Sequence, residues 1–230
     1  MSLVRKLYRT WDEADVRNAC KLCLTTHTSW LNGRSLHTCV AEALVGGATM
    51  VEFRLKHIDE HEIAREARNI IPLCRVANVP FIVDDNIEVA KVSGADGVHL
   101  WELGLSCDEV RKEFGRDAIV GISVNNVEEA KLAEEQGASY LSVGPMFVGR
   151  NSAAQSLVAM DVLKDICDSV RIPVTAIGGI NAGNISELAG TGVSGVTCVS
   201  AMLAAHDIEK AAEELSGEVE KYLVPDIANA

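Results

Sequence analysis

The 230 residues carry 33 acidic against 21 basic side chains, a formal net charge of -12. No clustered basic face is visible, which argues against nucleic acid as a partner, because neutralising its phosphates needs one. With 48% hydrophobic residues, 18 glycines and no Gly/Ser- or Pro-rich linker, the chain is expected to bury one core in a single domain over residues 1–230, with residues 1–20 as an N-terminal extension.

No run of about 18 apolar residues occurs, and the opening MSLVRKLYRTWDEADV lacks an apolar core of signal-peptide length. The expectation is a soluble cytoplasmic protein with no membrane partner. Anionic small molecules remain open to it, since a few local cations and backbone N–H groups suffice to hold a phosphate. The seven cysteines are scattered through apolar segments, as reduced buried thiols are. Cys20 and Cys23 have CxxC spacing but no second pair. Their thiols are expected on different faces of a strand, which speaks against zinc or redox chemistry.

Taken in order, the chain alternates strand and helix eight times. A short helix over 11–19 precedes strand one, 21–26. Ser35 reads as the cap of a helix ending near Gly46 and Gly47, and 50–56 is strand two. Residues 59–77 show the longest helical spacing, with Pro72 expected to bend or end it. A compact unit follows: strand three ending in Asp84 and Asp85, about two turns of helix closed by Gly94, and strand four, DGVHL. Ser106 caps a helix to Phe114. Strands are then expected at 118–124, 140–147, 174–180 and 195–202, with helices at 127–136, 158–169, 184–189 and 208–223.

Even spacing with no long excursion favours a closed (β/α)8 TIM barrel over an open doubly wound sheet. The segments GADGVHL (94–100), GASYLSVGP (137–145) and GVSGVTCVS (192–200) repeat one design, a glycine ending a helix before a buried strand. In such a barrel chemistry belongs at the carboxyl ends of the strands. Asp84, Asp85 and Glu102 bring three carboxylates to neighbouring ends, a set that suits Mg²⁺; alternatively, Asp84 begins a turn and Asp85 caps a helix. Alternation puts Glu52, Arg54 and Lys56 on one inward face, where an anionic ligand such as pyrophosphate, or an internal ion pair, would offset the burial of charge. Ser123 and Asn125 end strand five as hydrogen-bonding candidates, and Arg150 is a cation in the loop after strand six. Gly178 and Gly179, with Val199 and Ser200 at the start of a helix, fit the phosphate site such barrels build after strands seven and eight, or a tight turn. His99 lies inside a strand and reads as a packed core histidine.

In this order, FIVDDN (81–86), ADGVHL (95–100), VGISV (120–124), SVGPMF (142–147), AIGGIN (176–181) and GVTCVSAM (195–202) resemble thiamine-phosphate synthase and its thiazole tautomerase relatives, over about residues 50–202. The resemblance implies a (β/α)8 barrel that uses Mg²⁺ to join a pyrimidine pyrophosphate to a thiazole phosphate with loss of pyrophosphate. It implies small phosphorylated substrates as partners and allows a homodimer. Carried over by position, it makes Arg54 and Lys56 the cations that meet the pyrophosphate, Asp85 a metal ligand with Glu102 the nearest substitute for a second, and Ser123 the serine that contacts the pyrimidine. Gly179, Val199 and Ser200 match the thiazole phosphate cradle. Three departures stand out. Glu52 and Asp84 replace family amides by acids, and the family's Thr-x-Thr-Lys loop falls on Gly149, Arg150, Asn151 and Ser152, where Arg150 stands in for the missing lysine. Adding acid where the substrate is most anionic brings in the alternative of a phosphate-binding paralogue without synthase activity, a sensor or a tautomerase-like protein, although the tautomerase's catalytic histidine would fall on Asn125. A sugar-phosphate isomerase with Asp84 as base is a third option.

Overall fold

The computed structural model describes residues 10–55, 60–101, 107–115, 117–149 and 157–224. Eight parallel strands run in chain order: β1 (Leu22–Thr25), β2 (Met50–Phe53), β3 (Phe81–Asp84), β4 (Gly97–Leu100), β5 (Ile119–Val124), β6 (Tyr140–Val143), β7 (Val174–Ile177) and β8 (Gly195–Cys198). They close into a barrel when β8 pairs back onto β1. The helices are α1 (Glu13–Ala19), α2 (Leu36–Val45), α3 (Glu60–Ala77), α4 (Ile87–Ser93), α5 (Cys107–Phe114), α6 (Val127–Glu135), α7 (Met160–Ser169), α8 (Ser200–Leu203) and α9 (Ile208–Tyr222). This is the (β/α)8 architecture expected from the alternation.

Period-two alternation sorts the strand residues into two sets. Val51, Phe53, Val83, Val98, Leu100, Val120, Ile122, Leu141 and Val143 face outward into one continuous core with helix residues such as Val40, Ile70, Ala90, Val110, Ala130 and Leu163. The inward set changes character along the strands. Cys23, Met50, Ile82 and Ile119, near the amino ends, form a separate apolar cluster with Tyr140. One step further on, Thr25, Glu52 and His99 are buried polar residues.

The amino end of the barrel is plugged by α1, which supplies Val16, Ala19 and the capping Cys20 to the inner cluster, with Trp11 packed against it. Asp12 starts this helix because its carboxylate accepts from the Asp15 backbone N–H while Asp15 returns the bond to that of Asp12. Long-range bonds seat the plug: Trp11 Nε1 donates to Asp96 Oδ1 at 3.0 Å, and Arg17 donates to Ser194 Oγ at 3.1 Å and the Arg171 carbonyl at 2.6 Å. Burying Val16 alone contributes on the order of 2 kcal/mol. Cys20 and Cys23 do not lie on opposite faces of a strand, because Cys20 closes α1 before the chain turns; both enter the same cluster. Burial drives the Cys23 thiol well above its ordinary pKa, which makes it a poor thiolate donor.

Several expected boundaries move. Strands two, six, seven and eight end at Phe53, Val143, Ile177 and Cys198, earlier than the apolar runs suggest. At Gly144 the reason is close approach: a Cβ there would lie 2.0 Å from the Ile177 carbonyl oxygen, and Pro145 has no N–H to extend a ladder. Residues 200–203 are helical, and 185–188 form a 3₁₀ turn in place of the expected helix. Pro72 sits inside α3 without ending it. The helix buries Ala64, Ala67, Ile70 and Cys74 along one face, and that packing outweighs the single backbone bond proline removes.

Candidate active site

The carboxyl end of the barrel is built on a buried polar chain. Glu52, on β2, is 1% exposed; its Oε2 accepts from Thr25 Oγ1 at 2.7 Å and its Oε1 from the Tyr140 hydroxyl at 2.8 Å. The Tyr140 oxygen lies 2.9 Å from His99 Nδ1, and His99 Nε2 lies 3.0 Å from Ser123 Oγ. Five strands contribute, β1, β2, β4, β5 and β6, and the chain of contacts leads from the interior to half-buried Ser123. Gly121 leaves the necessary room: a Cβ there would lie 2.2 Å from Tyr140 Cζ and 2.5 Å from His99 Nδ1. Burial lowers the His99 pKa, against the opposing pull of Glu52, and raises that of Tyr140, with Glu52 adding to the effect.

A second cluster sits beside it, where β2, β3 and β4 end. Arg54 is held by its backbone, whose N–H donates to Thr26 Oγ1 at 2.9 Å while that hydroxyl donates to the Arg54 carbonyl at 3.1 Å. The guanidinium lies over the Trp101 ring at 4.3 Å and 3.8 Å from Asp84 Oδ2. The Trp101 indole N–H donates to that same oxygen at 2.7 Å, and its backbone N–H donates to Asp85 Oδ1 at 3.0 Å. Asp85 is exposed and takes a left-handed φ of 50°, which aspartate tolerates better than most residues. Asp84 is 4% exposed. Burial raises its carboxyl well above the usual carboxylate range, Glu52 adds to this, and the Trp101 N–H and Arg54 pull it back.

Among the described residues, the buried side-chain polar atoms left without a hydrogen-bond partner are Arg54 Nε, Asp84 Oδ1 and Ser142 Oγ. All three belong to this end of the barrel, since Arg54 follows β2, Asp84 ends β3, and Ser142 pairs in register with Ser123 and Thr175. Orphaned groups are rare in folded proteins, and several in one place mark a site shaped for a ligand. The donor set also fits Mg²⁺: consecutive carboxylates at Asp84 and Asp85, one with an unpartnered buried oxygen, suit an ion that takes one or two carboxylates and fills its shell with water and phosphate. Among the described residues, no three His, Cys, Asp or Glu side chains come together as a complete protein cage.

On the opposite side, Gly178 and Gly179 follow β7 with φ of 95° and 67°. A Cβ on Gly178 would lie 2.6 Å from Pro145, and one on Gly179 2.5 Å from the Phe147 carbonyl oxygen, so the post-β6 loop packs directly against these glycines. Val199 precedes α8, which Ser200 opens, and Arg34 ties the far end of α8 to the post-β1 loop through a 2.6 Å bond to the Leu203 carbonyl. Asn125 is exposed at the end of β5, its backbone N–H donating to Glu129 Oε2 at 2.8 Å. Of the residues singled out from the sequence, Glu52, Arg54, Asp84, Asp85 and Ser123 lie at the carboxyl ends of β2, β3 and β5, and Gly178, Gly179, Val199 and Ser200 follow β7 and β8. Gly149 is described, half-buried, in the post-β6 loop; Lys56, Glu102, Arg150, Asn151 and Ser152 lie outside the described residues. Thr25, Tyr140 and Trp101 went unread in the sequence. The available signal was Gly121, a strand residue without a side chain at the point where two long inward ones must fit.

A family described as thiamine monophosphate synthase matches residues 22–202. The thiamine-phosphate synthase of Clostridium novyi is 40% identical over 197 residues, covering 85% of this chain and 97% of that protein. That of Clostridium tetani is 36% identical over 198 residues, 86% of this chain and 95% of its own. The solved structure of thiamine phosphate pyrophosphorylase from Pyrococcus furiosus superposes with a TM-score of 0.82 at 36% identity, covering 90% of this chain and 99% of that one.

Proposed function

The chain belongs to the thiamine monophosphate synthase family and is a thiamine-phosphate-synthase-like transferase, and on that premise we propose that it joins a hydroxymethylpyrimidine pyrophosphate to a thiazole phosphate with release of pyrophosphate. The observation that carries the reading is that Arg54 Nε and Asp84 Oδ1, both buried at the mouth of the barrel, make no hydrogen bond.

In this reading Arg54, Lys56 and Arg150 meet the pyrophosphate, and Ser123 holds the pyrimidine ring. Gly149, Asn151 and Ser152 complete the loop that replaces the family's Thr-x-Thr-Lys. Gly178, Gly179, Val199 and Ser200 receive the thiazole phosphate, which sets its ring nitrogen facing the pyrimidine carbon that loses pyrophosphate. The carbon–oxygen bond to the leaving group breaks, the nitrogen supplies the new pair, and no protein group forms a covalent bond. Positioning and charge account for the rate. Asp85, with Glu102 as the nearest second carboxylate, would hold Mg²⁺, whose charge would stabilise the pyrophosphate as it leaves. The two acids that depart from the family do not stand as bare charges: Glu52 accepts hydrogen bonds from two hydroxyls, and Asp84 faces Trp101 and Arg54. The reading makes this a cytoplasmic enzyme of small phosphorylated molecules, compatible with a homodimer and with neither nucleic acid nor membrane as partner. Among the described residues no helix is long and apolar enough to cross a membrane.

Purified protein given both substrates and Mg²⁺ should release pyrophosphate and thiamine phosphate in equal amounts; no product from a cooperatively folded sample overturns the reading. The second reading, a phosphate-binding paralogue, is favoured by one contact, the approach of Asp84 to Arg54, which engages the cation meant for the substrate. It predicts phosphate-ester binding that ignores Mg²⁺ and is unchanged by Asp85→Ala.

A further inference from the structure

Arg54 and Asp84 are neighbours that do not join. Arg54 Nε lies 3.8 Å from Asp84 Oδ2, beyond hydrogen-bonding distance, and among the described residues neither Nε nor Asp84 Oδ1 makes a hydrogen bond elsewhere. A guanidinium and a carboxyl group this close ordinarily pair, because the planar fork of arginine fits the two oxygens with parallel bonds. Here a third side chain intervenes. The Trp101 indole N–H donates to Asp84 Oδ2 at 2.7 Å, while the indole ring lies 4.3 Å from Arg54 Cζ. Trp101 thus satisfies the acid through its edge and the cation through its face. It is itself fixed from two further directions: its backbone N–H donates to Asp85 Oδ1 at 3.0 Å, and its ring meets the His99 ring at 64°, with 5.6 Å between centroids. A face contact consumes none of the guanidinium N–H groups, which are left for an anionic ligand.

We propose that Trp101 is a positioning residue that keeps Arg54 and Asp84 from closing on each other, and so reserves the Arg54 N–H groups for the pyrophosphate of the substrate. The inference rests on the reading above that Arg54 meets that group. It also explains how the chain accommodates an acid at position 84. The family resemblance places an amide there, and a carboxyl group beside Arg54 competes with the ligand for the same donors. Trp101 answers this by engaging the Asp84 oxygen that approaches the cation. Removing the indole N–H while keeping an aromatic ring releases that oxygen to Arg54, and the site then competes with its own ligand.

The probe is inorganic pyrophosphate, titrated calorimetrically into the full chain without Mg²⁺. Trp101→Phe should bind it about tenfold more weakly than the parent. Adding Asp84→Ala should then recover at least about threefold more affinity in the Trp101→Phe background than the same substitution gains in the parent, because the competing acceptor matters only where no indole N–H holds it. A tryptophan that merely packs would give the same gain in both. Urea unfolding of each protein keeps the comparison to folded molecules. Hydrogen exchange followed by NMR on chains that retain Trp101 needs no substitution at the site: of the three tryptophans, Trp11 and Trp30 are assigned through Trp11→Phe and Trp30→Phe, and the remaining indole proton, that of Trp101, should exchange slowly with and without pyrophosphate. If the parent does not bind pyrophosphate, the reading of Arg54 fails and the inference with it. Undiminished binding in Trp101→Phe, equal gains from Asp84→Ala in the two backgrounds, or a Trp101 indole proton that exchanges freely overturns the inference alone.

Discussion

The two ends of the barrel are made from the same strands and differ by one or two steps of alternation. Met50 and Glu52 share the inward face of β2, Ile82 and Asp84 that of β3, and Ile119 and Ser123 that of β5. At the amino end these side chains close against Val16, Ala19 and Cys20 in an apolar plug. About 7 Å further along β2 and β3, and about twice that along β5, they turn into a linked set of acids, hydroxyls and an imidazole. The comparison teaches a division of labour. The apolar side chains of the plug contribute burial, and this stability offsets the Arg54 Nε, Asp84 Oδ1 and Ser142 Oγ that the other end leaves without a hydrogen bond. Tyr140 spans the boundary, its ring in the lower cluster and its hydroxyl in the upper chain.

The sharpest way to break the comparison is Arg54→Ala. Removing the cation over Trp101 should lower the rate of thiamine phosphate formation by about a thousandfold, equivalent to about 4 kcal/mol, while the denaturation midpoint moves little. Steady-state turnover and urea unfolding on the same preparation separate the two quantities. If activity fell only in step with the folded fraction, the carboxyl end would be another piece of core.

The converse substitution is Ile119→Ala at the lower end. A buried side chain cut to a methyl should cost about 3 kcal/mol of stability, read from urea unfolding, with turnover per folded molecule unchanged. Gly121→Ala lies between the ends and should affect both. Its Cβ would lie 2.2 Å from Tyr140 Cζ, so the ring must shift, with an expected loss of about 2 kcal/mol of stability and weaker binding at Ser123. A Gly121→Ala protein with parental stability and parental binding would show that Tyr140 does not couple the two ends.

The same contrast explains what could be read from the sequence. The outward rows are runs of Val, Leu, Ile and Phe, and glycines end the helices before β4 and β6, so the order of elements and barrel closure follow from periodicity and spacing. Strand ends were harder. The apolar runs continue through Met146, Ile180 and Met202, but Gly144, Gly178 and Gly179 turn the chain where backbones come too close for a side chain. Asp84, Asp85, Arg54 and Ser123 were legible as strand-end residues; their partners were not. The meeting of Trp101 with Asp84 depends on the register that sets Asp84 against His99, and the link from Tyr140 to Glu52 crosses 88 residues and the whole bore of the barrel. His99 was read as packed core. It is buried, yet both ring nitrogens are engaged, a fact that needs Tyr140 on one side and Ser123 on the other.

The smallest predicted effect concerns this histidine and follows from linkage. Burial holds the folded-state pKa of His99 below its unfolded value of about 6.5, so the unfolded chain binds the proton more readily. The resulting stability is present above about pH 6.5 and is lost as pH falls through the lower, folded-state value. Asp84 slopes the other way, since its raised carboxyl binds a proton more readily in the folded state, but it is common to parent and His99→Asn and drops out of their difference. That difference, measured by urea unfolding from about pH 7 to about pH 5, should shrink by about 1 kcal/mol. A gap that stays constant would mean that His99 titrates alike in the folded and unfolded chain, and the upper half of the barrel would then be wetter and less distinct from its plug than the contacts around Glu52 require.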